Sequence, residues 1–238
     1  VAGEVKNMAE VVDEPIFRNK FHVFDDRFHA GELLAEKLEE YGGEKGSYAL
    51  AIPAGGVQVA FVVAERLKIP LDLAVTRKIH VPWNKEVGFG AISWDGAILL
   101  NEPLVASLRL TKEDIERCVA EEKEIIRRRL KVFRGNRSFP DLKDKIAIIV
   151  DDGLASGFSM LTTIKAIKRK GVKETVVAVP TAPTSAIRLI RPHADKVVCP
   201  NIRSGTFFAV ADAYKVWYDL DDKDVMDILK LAGYNGRS

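Results

Sequence analysis

Five consecutive apolar residues, Ile146-Ala147-Ile148-Ile149-Val150, run straight into Asp151-Asp152 and then into Gly-Leu-Ala-Ser-Gly-Phe-Ser. A strand with no polar side chain has no face to give to water. It must be covered on both sides, as the central strands of a parallel sheet are when helices pack on each face. The same pattern recurs along the chain. Tyr48 to Ile52, Leu71 to Thr76, Thr175 to Pro180 and Lys196 to Cys199 read as further strands. Between them come helical periods. Ala30 to Glu40 carries Leu33, Leu34 and Leu38 and stops at Gly42-Gly43, and Val57 to Leu67 and Ser159 to Lys170 follow the same spacing. The expected class is α/β, a parallel central sheet with helices on both faces.

The alternation is interrupted between the second and third of these strands. Gly88 to Asn101 reads as a hairpin, AISW and AILL about a two-residue Asp95-Gly96 turn. Thr111 and Asp114 form a capping pattern that opens a long helix, with Ile115, Cys118, Val119, Ile125, Ile126, Leu130 and Phe133 on one apolar face. We therefore expect an N-terminal arm over 1–24, one domain over 25–238 with an insertion at about 88–135, and a small C-terminal hood at about 200–218. Ile79 to Phe89 has little periodicity and is expected to be a mobile loop.

Charge narrows the partners. The 36 basic and 34 acidic residues give a net charge of +2, and the two signs are interspersed. Neither a nucleic-acid nor a membrane footprint is visible. No apolar run reaches membrane-spanning length, and the N-terminal segment is too charged for a secretory leader, so a cytoplasmic location is expected. Cys118 and Cys199, with no CxxC spacing, read as structural thiols in a reducing compartment. His22, His29, His80 and His193 form no metal-binding pattern.

In an open parallel sheet, ligands bind beyond the carboxyl ends of the strands, where Asp151-Asp152 sit. Gly153, Ala155, Ser156, Gly157 and Ser159 are small enough for backbone amides to approach an anion, and the helix that follows adds its positive end. This is a cradle for one phosphate. It lacks the spacing of a triphosphate loop or a dinucleotide fingerprint. Two carboxylates beside a phosphate need a partner of their own, and a sugar diol or a magnesium ion supplies one. The combination describes ribose 5-phosphate.

The window VDDGLASGFS resembles the phosphoribosyl pyrophosphate signature of the type I phosphoribosyltransferases: an apolar strand, two acids, a short loop, then Thr or Ser, Gly, and Thr or Ser. From about Phe24 to Leu229 the chain resembles more closely a group of bacterial and archaeal phosphoribosyltransferase-like proteins. The features that carry this are PAGG at Pro53 to Gly56, RK at Arg77-Lys78, NKE at Asn84 to Glu86, LNE at Leu100 to Glu102 and WY at Trp217-Tyr218.

The resemblance implies transfer of ribose 5-phosphate from phosphoribosyl pyrophosphate to a nucleobase or related small acceptor, with pyrophosphate leaving. It also implies Asp151 and Asp152 at the ribose hydroxyls as the catalytic acids, meeting magnesium indirectly or through substrate. Gly153, Leu154, Ala155, Ser156, Gly157, Phe158 and Ser159 would hold the 5-phosphate. Ala54, Gly55 and Gly56, with Arg77 and Lys78, would hold the pyrophosphate. Trp217 and Tyr218, among the hood aromatics Phe207, Phe208 and Tyr214, are the acceptor candidates, with core packing as the competing role. A homodimer is implied because family members commonly pair. The usual arginine of the pyrophosphate loop is Ala54 here, which opens an alternative: a binding protein that senses phosphoribosyl pyrophosphate without transferring it. Ala155 stands where hypoxanthine and guanine enzymes have an aspartate that assists the base.

Overall fold

The computed structural model describes residues 8–43, 46–205 and 207–234. Residues 1–7 of the arm, Thr206 of the hood region and the last four residues of the chain lie outside the described residues.

The central sheet has six strands, all parallel. In chain order they are β1 (Glu10–Val12), β2 (Ser47–Ala51), β3 (Leu71–Leu73), β7 (Ile146–Val150), β8 (Glu174–Ala178) and β10 (Lys196–Val198), and in space they run β1-β10-β8-β7-β2-β3. The apolar strands are two-sided. Along β7, Ile146, Ile148 and Val150 enter one core while Ala147 and Ile149 enter the other. The first core is closed by α1 (Arg27–Lys37), α2 (Gly56–Leu67), α4 (Lys112–Arg134) and α7 (Asp222–Leu231). The second is closed by α5 (Phe158–Lys168) and α6 (Thr184–Ile190).

The span read as an arm holds β1, which pairs in register with β10 and extends the sheet at that edge. Its three residues were too few to show a period. Farther on, Phe24 is fully buried and packs on Tyr214 at 5.5 Å between ring centroids, in a small third core with Ala30 and Ala213.

Two expectations about the interruption change. The strand expected over Leu71 to Thr76 ends at Leu73. Thr76 begins a second, antiparallel sheet of β4 (Thr76–Val81), β5 (Asn84–Ser93) and β6 (Ile98–Leu100). Arg77-Lys78 therefore lie on this second sheet, and Ile79 to Phe89 is a β-hairpin tipped by Pro82-Trp83 rather than a loop. The β5–β6 turn is also one residue longer than expected. Ser93 and Ala97 close it by a 2.9 Å hydrogen bond around Trp94-Asp95-Gly96, and Gly96 takes φ +83°. A left-handed glycine at the end of a three-residue turn suits the twist of the ribbon. It also lets Trp94 turn back to stack on Phe139 at 4.8 Å.

A short helix that the sequence reading did not anticipate, α3 (Glu102–Ser107), comes next, and the expected capping box of Thr111 and Asp114 then opens α4. Two short parallel strands, β9 (Thr181–Pro183) and β11 (Asn201–Arg203), complete the frame beyond the carboxyl end of β8.

Candidate functional site

The wholly buried β7 delivers Asp151 and Asp152 to the carboxyl edge of the sheet, where both keep a small exposed area. Asp151 Oδ1 accepts a 2.9 Å hydrogen bond from the amide of Asp152. Dense packing and the neighbouring Asp152 charge push the Asp151 carboxyl well above the usual carboxylate range. Burial raises that of Asp152 too, against the opposing pull of Arg27.

Beyond the acids, the chain folds into a loop that leads to α5. A cavity of about 160 Å³ is lined by Asp151 and by Gly153, Leu154, Ala155, Ser156, Gly157 and Ser159, with Val210 on its far side. Leu154 is 3 % exposed and anchors the loop in the second core. Phe158 does not line the cavity. Gly157, at φ +82°, turns the loop into α5, and no side chain caps that helix among the described residues. Gly157 and Ser159, at the positive end of the helix dipole, both line the cavity, a setting that suits an anion.

The Pro53 to Gly56 loop stands directly against the acid pair. The Pro53–Ala54 peptide is cis. A Cβ added to Gly55 would fall 1.8 Å from Asp152 Oδ2, and one on Gly56 would fall 2.8 Å from the Val150 carbonyl oxygen. Glycine is required at both positions because backbone and carboxylate touch. Gly55 is the cap residue just before α2 and gives it no side-chain hydrogen bond. Ala54 adds no polar group and packs on the first core.

The RK pair splits. Successive residues of a strand face opposite ways, and here Lys78 lines the cavity beside Asp151. Arg77 points to the other face, where it pairs with Glu122 of α4 at 2.5 Å and lines a separate cavity with His80, Lys85 and Cys118. Lys78 is brought to the acids and Arg77 is not.

Sequence reasoning overlooked Arg27. It is 3 % exposed, and its Nε donates to Asp152 Oδ2 at 2.9 Å. Its Nη1 donates to the Tyr218 carbonyl at 2.9 Å, and its guanidinium lies 3.9 Å from the Trp217 ring centre. A signal was present: Arg27 follows the capping Asp26 as the first residue of α1, where the helix dipole disfavours a cation. Tyr214 was seen only as a hood aromatic, yet its hydroxyl donates to the Asp152 carbonyl at 2.6 Å. Gln58 donates to the Tyr218 hydroxyl at 2.9 Å.

Trp217 and Tyr218 thus serve first as the seat of Arg27. Tyr218 remains 47 % exposed, while Phe207 is 92 % exposed and Phe208 lies 5.0 Å from the Arg203 guanidinium.

Among the described residues, no group of three or more His, Cys, Asp and Glu side chains is arranged to hold a metal. Asp151 is a hard oxygen donor, while Asp152 is engaged by Arg27. This set fits a magnesium ion that would bring most of its ligands from water and substrate phosphates, and not a protein cage.

Residues 27–217 match the phosphoribosyl transferase domain. The chain belongs to the phosphoribosyltransferase family. The match opens on Arg27 and closes on Trp217, the two residues whose guanidinium and indole ring stack on each other. Two Mycobacterium tuberculosis proteins, of strains CDC 1551 / Oshkosh and ATCC 25618 / H37Rv, carry names that assign them by inference to the phosphoribosyl transferases. Each is 37 % identical over 212 residues, covering 88 % of this chain and 47 % of the relative. This phosphoribosyltransferase chain therefore spans about half the length of the curated relatives it matches. A crystal structure of TT1426 from Thermus thermophilus superposes with a TM-score of 0.69 at 35 % identity, covering 87 % of this chain and 97 % of that one. No helix among the described residues of this family member is long and apolar enough to cross a membrane.

Proposed function

We propose that the protein transfers ribose 5-phosphate from magnesium-bound phosphoribosyl pyrophosphate to a nucleobase or related small acceptor, releasing pyrophosphate. The observation that carries this reading is the contact between two loops: the glycines at 55 and 56 lie against Asp151 and Asp152, and a phosphate-sized cavity opens on the other side of Asp151. One substrate can then span a 5-phosphate, a ribose and a pyrophosphate in sequence.

The roles follow from charge. The amides of Gly157 and Ser159, with Lys78, hold the 5-phosphate end. Asp151 accepts hydrogen bonds from the ribose hydroxyls and favours the positive charge that develops at the anomeric carbon as the leaving group departs. Backbone amides at Gly55 and Gly56 meet the pyrophosphate. Magnesium, when bound, would neutralise the leaving pyrophosphate.

One observation favours a second reading, a sensor that binds without transfer. With Ala54 in the loop and Arg77 turned toward Glu122, Lys78 is the cation that the RK pair contributes to the site. Incubation with phosphoribosyl pyrophosphate, magnesium and a panel of purines, pyrimidines and simpler amines, with pyrophosphate release as the signal, decides between them. Release dependent on one acceptor class supports transfer. Binding with no release across the panel would replace it with the sensor.

A further inference from the structure

A further cavity, of about 360 Å³, opens where the end of α4 meets the β5–β6 turn. Trp94 and Phe139, stacked with 4.8 Å between ring centres and 16° between planes, form its aromatic part, and both rings are half-buried. Lys131, Arg134 and Arg137 line it beside Leu130. No carboxylate, thiol or hydroxyl belongs to its wall, so it has groups to hold a ligand and none to react with one.

The three cations are not equivalent. Arg134 is 7 % exposed and pairs with Asp72. It donates through Nη1 to the Ser138 carbonyl at 3.0 Å and through Nη2 to the Leu73 carbonyl at 3.1 Å, while its Nε is buried with no acceptor among the described residues. A buried donor left unmet carries a desolvation cost. Lys131 and Arg137 form no ion pair among the described residues. Arg137 donates to the Tyr234 carbonyl and lies 3.9 Å from that ring's centre, which holds it in place without neutralising it. Asp95, next to Trp94 in sequence, is taken by Arg169 at 2.5 Å. Two uncompensated charges therefore line the cavity, and Lys170 adds another 5.8 Å from the centre of the Phe139 ring.

We propose that this cavity is a binding site for a free mononucleotide, separate from the site at Asp151-Asp152, with the base packed against Trp94 and the phosphate between Lys131 and Arg137. The volume is that of a small-molecule site. An indole offers a planar base a stacking surface, and a guanidinium with an ammonium matches a phosphate dianion. A nucleic-acid strand would need cations continuing along a groove, and a net charge of +2 shows no such excess. The two cavities share no lining residue. α5 stands between them: its amino end borders the cavity beside Asp151, and Lys170 lies two residues past its other end, about 16 Å away along an 11-residue helix. The inference does not depend on the phosphoribosyl pyrophosphate reading.

The test is calorimetric titration of adenosine, guanosine and uridine monophosphates into wild type, Lys131→Glu, the double variant Lys131→Glu with Arg137→Gln, Trp94→Phe and Lys78→Met, with a thermal midpoint for each. Adenosine and inorganic phosphate serve as partial probes. At least one mononucleotide should bind saturably and quench tryptophan fluorescence. Lys131→Glu should weaken it by about tenfold and the double variant by about a hundredfold, and each partial probe should bind at least about tenfold more weakly than the whole. Trp94→Phe should lose the quench, and Lys78→Met, at the other cavity, should keep both binding and quench.

Affinity unchanged by the charge substitutions, a quench that persists in Trp94→Phe, or binding lost only in Lys78→Met overturns the proposal, as does the absence of any mononucleotide binding. A short single-stranded oligonucleotide that binds more tightly than its own mononucleotides overturns the assignment of the ligand. If Arg137→Gln unfolds through loss of its Tyr234 contact, Lys131→Glu alone decides, because Lys131 is exposed. None of these outcomes touches the phosphoribosyl pyrophosphate reading, which is tested through Asp151.

Discussion

Gly55→Ala tests the packing of the site with an unusual sign. Gly55 has φ −56° and ψ −37°, a helical conformation open to any residue. Replacing such a glycine with alanine ordinarily stabilises by about 0.4–1 kcal/mol, because the unfolded chain loses freedom. Here the new methyl would fall 1.8 Å from Asp152 Oδ2 and 2.5 Å from its Cγ. The carboxylate cannot yield while it holds Arg27, whose side chain is 3 % exposed. Either the pair breaks, at about 3–5 kcal/mol for a buried ion pair, or the loop moves by an equivalent amount. The net loss is about 2–4 kcal/mol after the entropic gain. Urea unfolding followed by tryptophan fluorescence should show the midpoint falling by roughly 1 M, given slopes of a few kcal/mol per molar. On an Asp152→Ala background, where the three nearest atoms are gone, the same substitution should cost far less. A Gly55→Ala protein as stable as wild type, or more so, refutes the reasoning.

Other perturbations separate the remaining parts. Lys78→Met should weaken phosphoribosyl pyrophosphate binding by about tenfold in calorimetry with little change in thermal midpoint, while Arg77→Met should do the reverse by releasing Glu122 of α4. Tyr214→Phe should cost about 1 kcal/mol in denaturant unfolding, because the Asp152 carbonyl loses its donor. The acid pair also sets a pH dependence. Asp151 has a native pKa above its unfolded value, so between the two values the native state holds more protons and stability falls as pH rises. Asp151→Asn should therefore be more stable than wild type near pH 7, with the gain vanishing below the unfolded value of about 4. Thermal midpoints at several pH values check this, and an Asn variant less stable at pH 7 contradicts it. Ligand binding should run the other way, weakening as acid protonates Asp151.

What the sequence revealed follows from how local each signal was. The two-faced Ile146 to Val150 run dictated a covered parallel strand, and the small residues that follow dictated a close backbone approach at its end. Both features are spelled within one window. Placing Arg77 and Lys78 on opposite faces required knowing that β3 stops at Leu73 and that a new sheet begins at Thr76, which apolar periodicity across both segments concealed. The hairpin at Ile79 to Phe89 was hidden because its residues on β4 and β5 are shared between core and cavity and show no clean alternation. Arg27 meets Asp152 across 125 residues and the Tyr218 carbonyl across 191, separations over which no spacing rule operates. Its one local trace was a cation at a helix start. The aromatic pair Trp217-Tyr218 was legible as important, but whether it would serve a ligand or an arginine was decided by a residue at the opposite end of the chain.

The measurement that bears most directly on the central claim is titration of phosphoribosyl pyrophosphate into the wild-type protein with and without magnesium. The account requires saturable binding that strengthens when magnesium is present and is lost in Asp151→Asn. Heat that is absent in wild type, or unchanged by magnesium and by the Asn substitution, would mean that the acid pair and its cradle serve some other ligand.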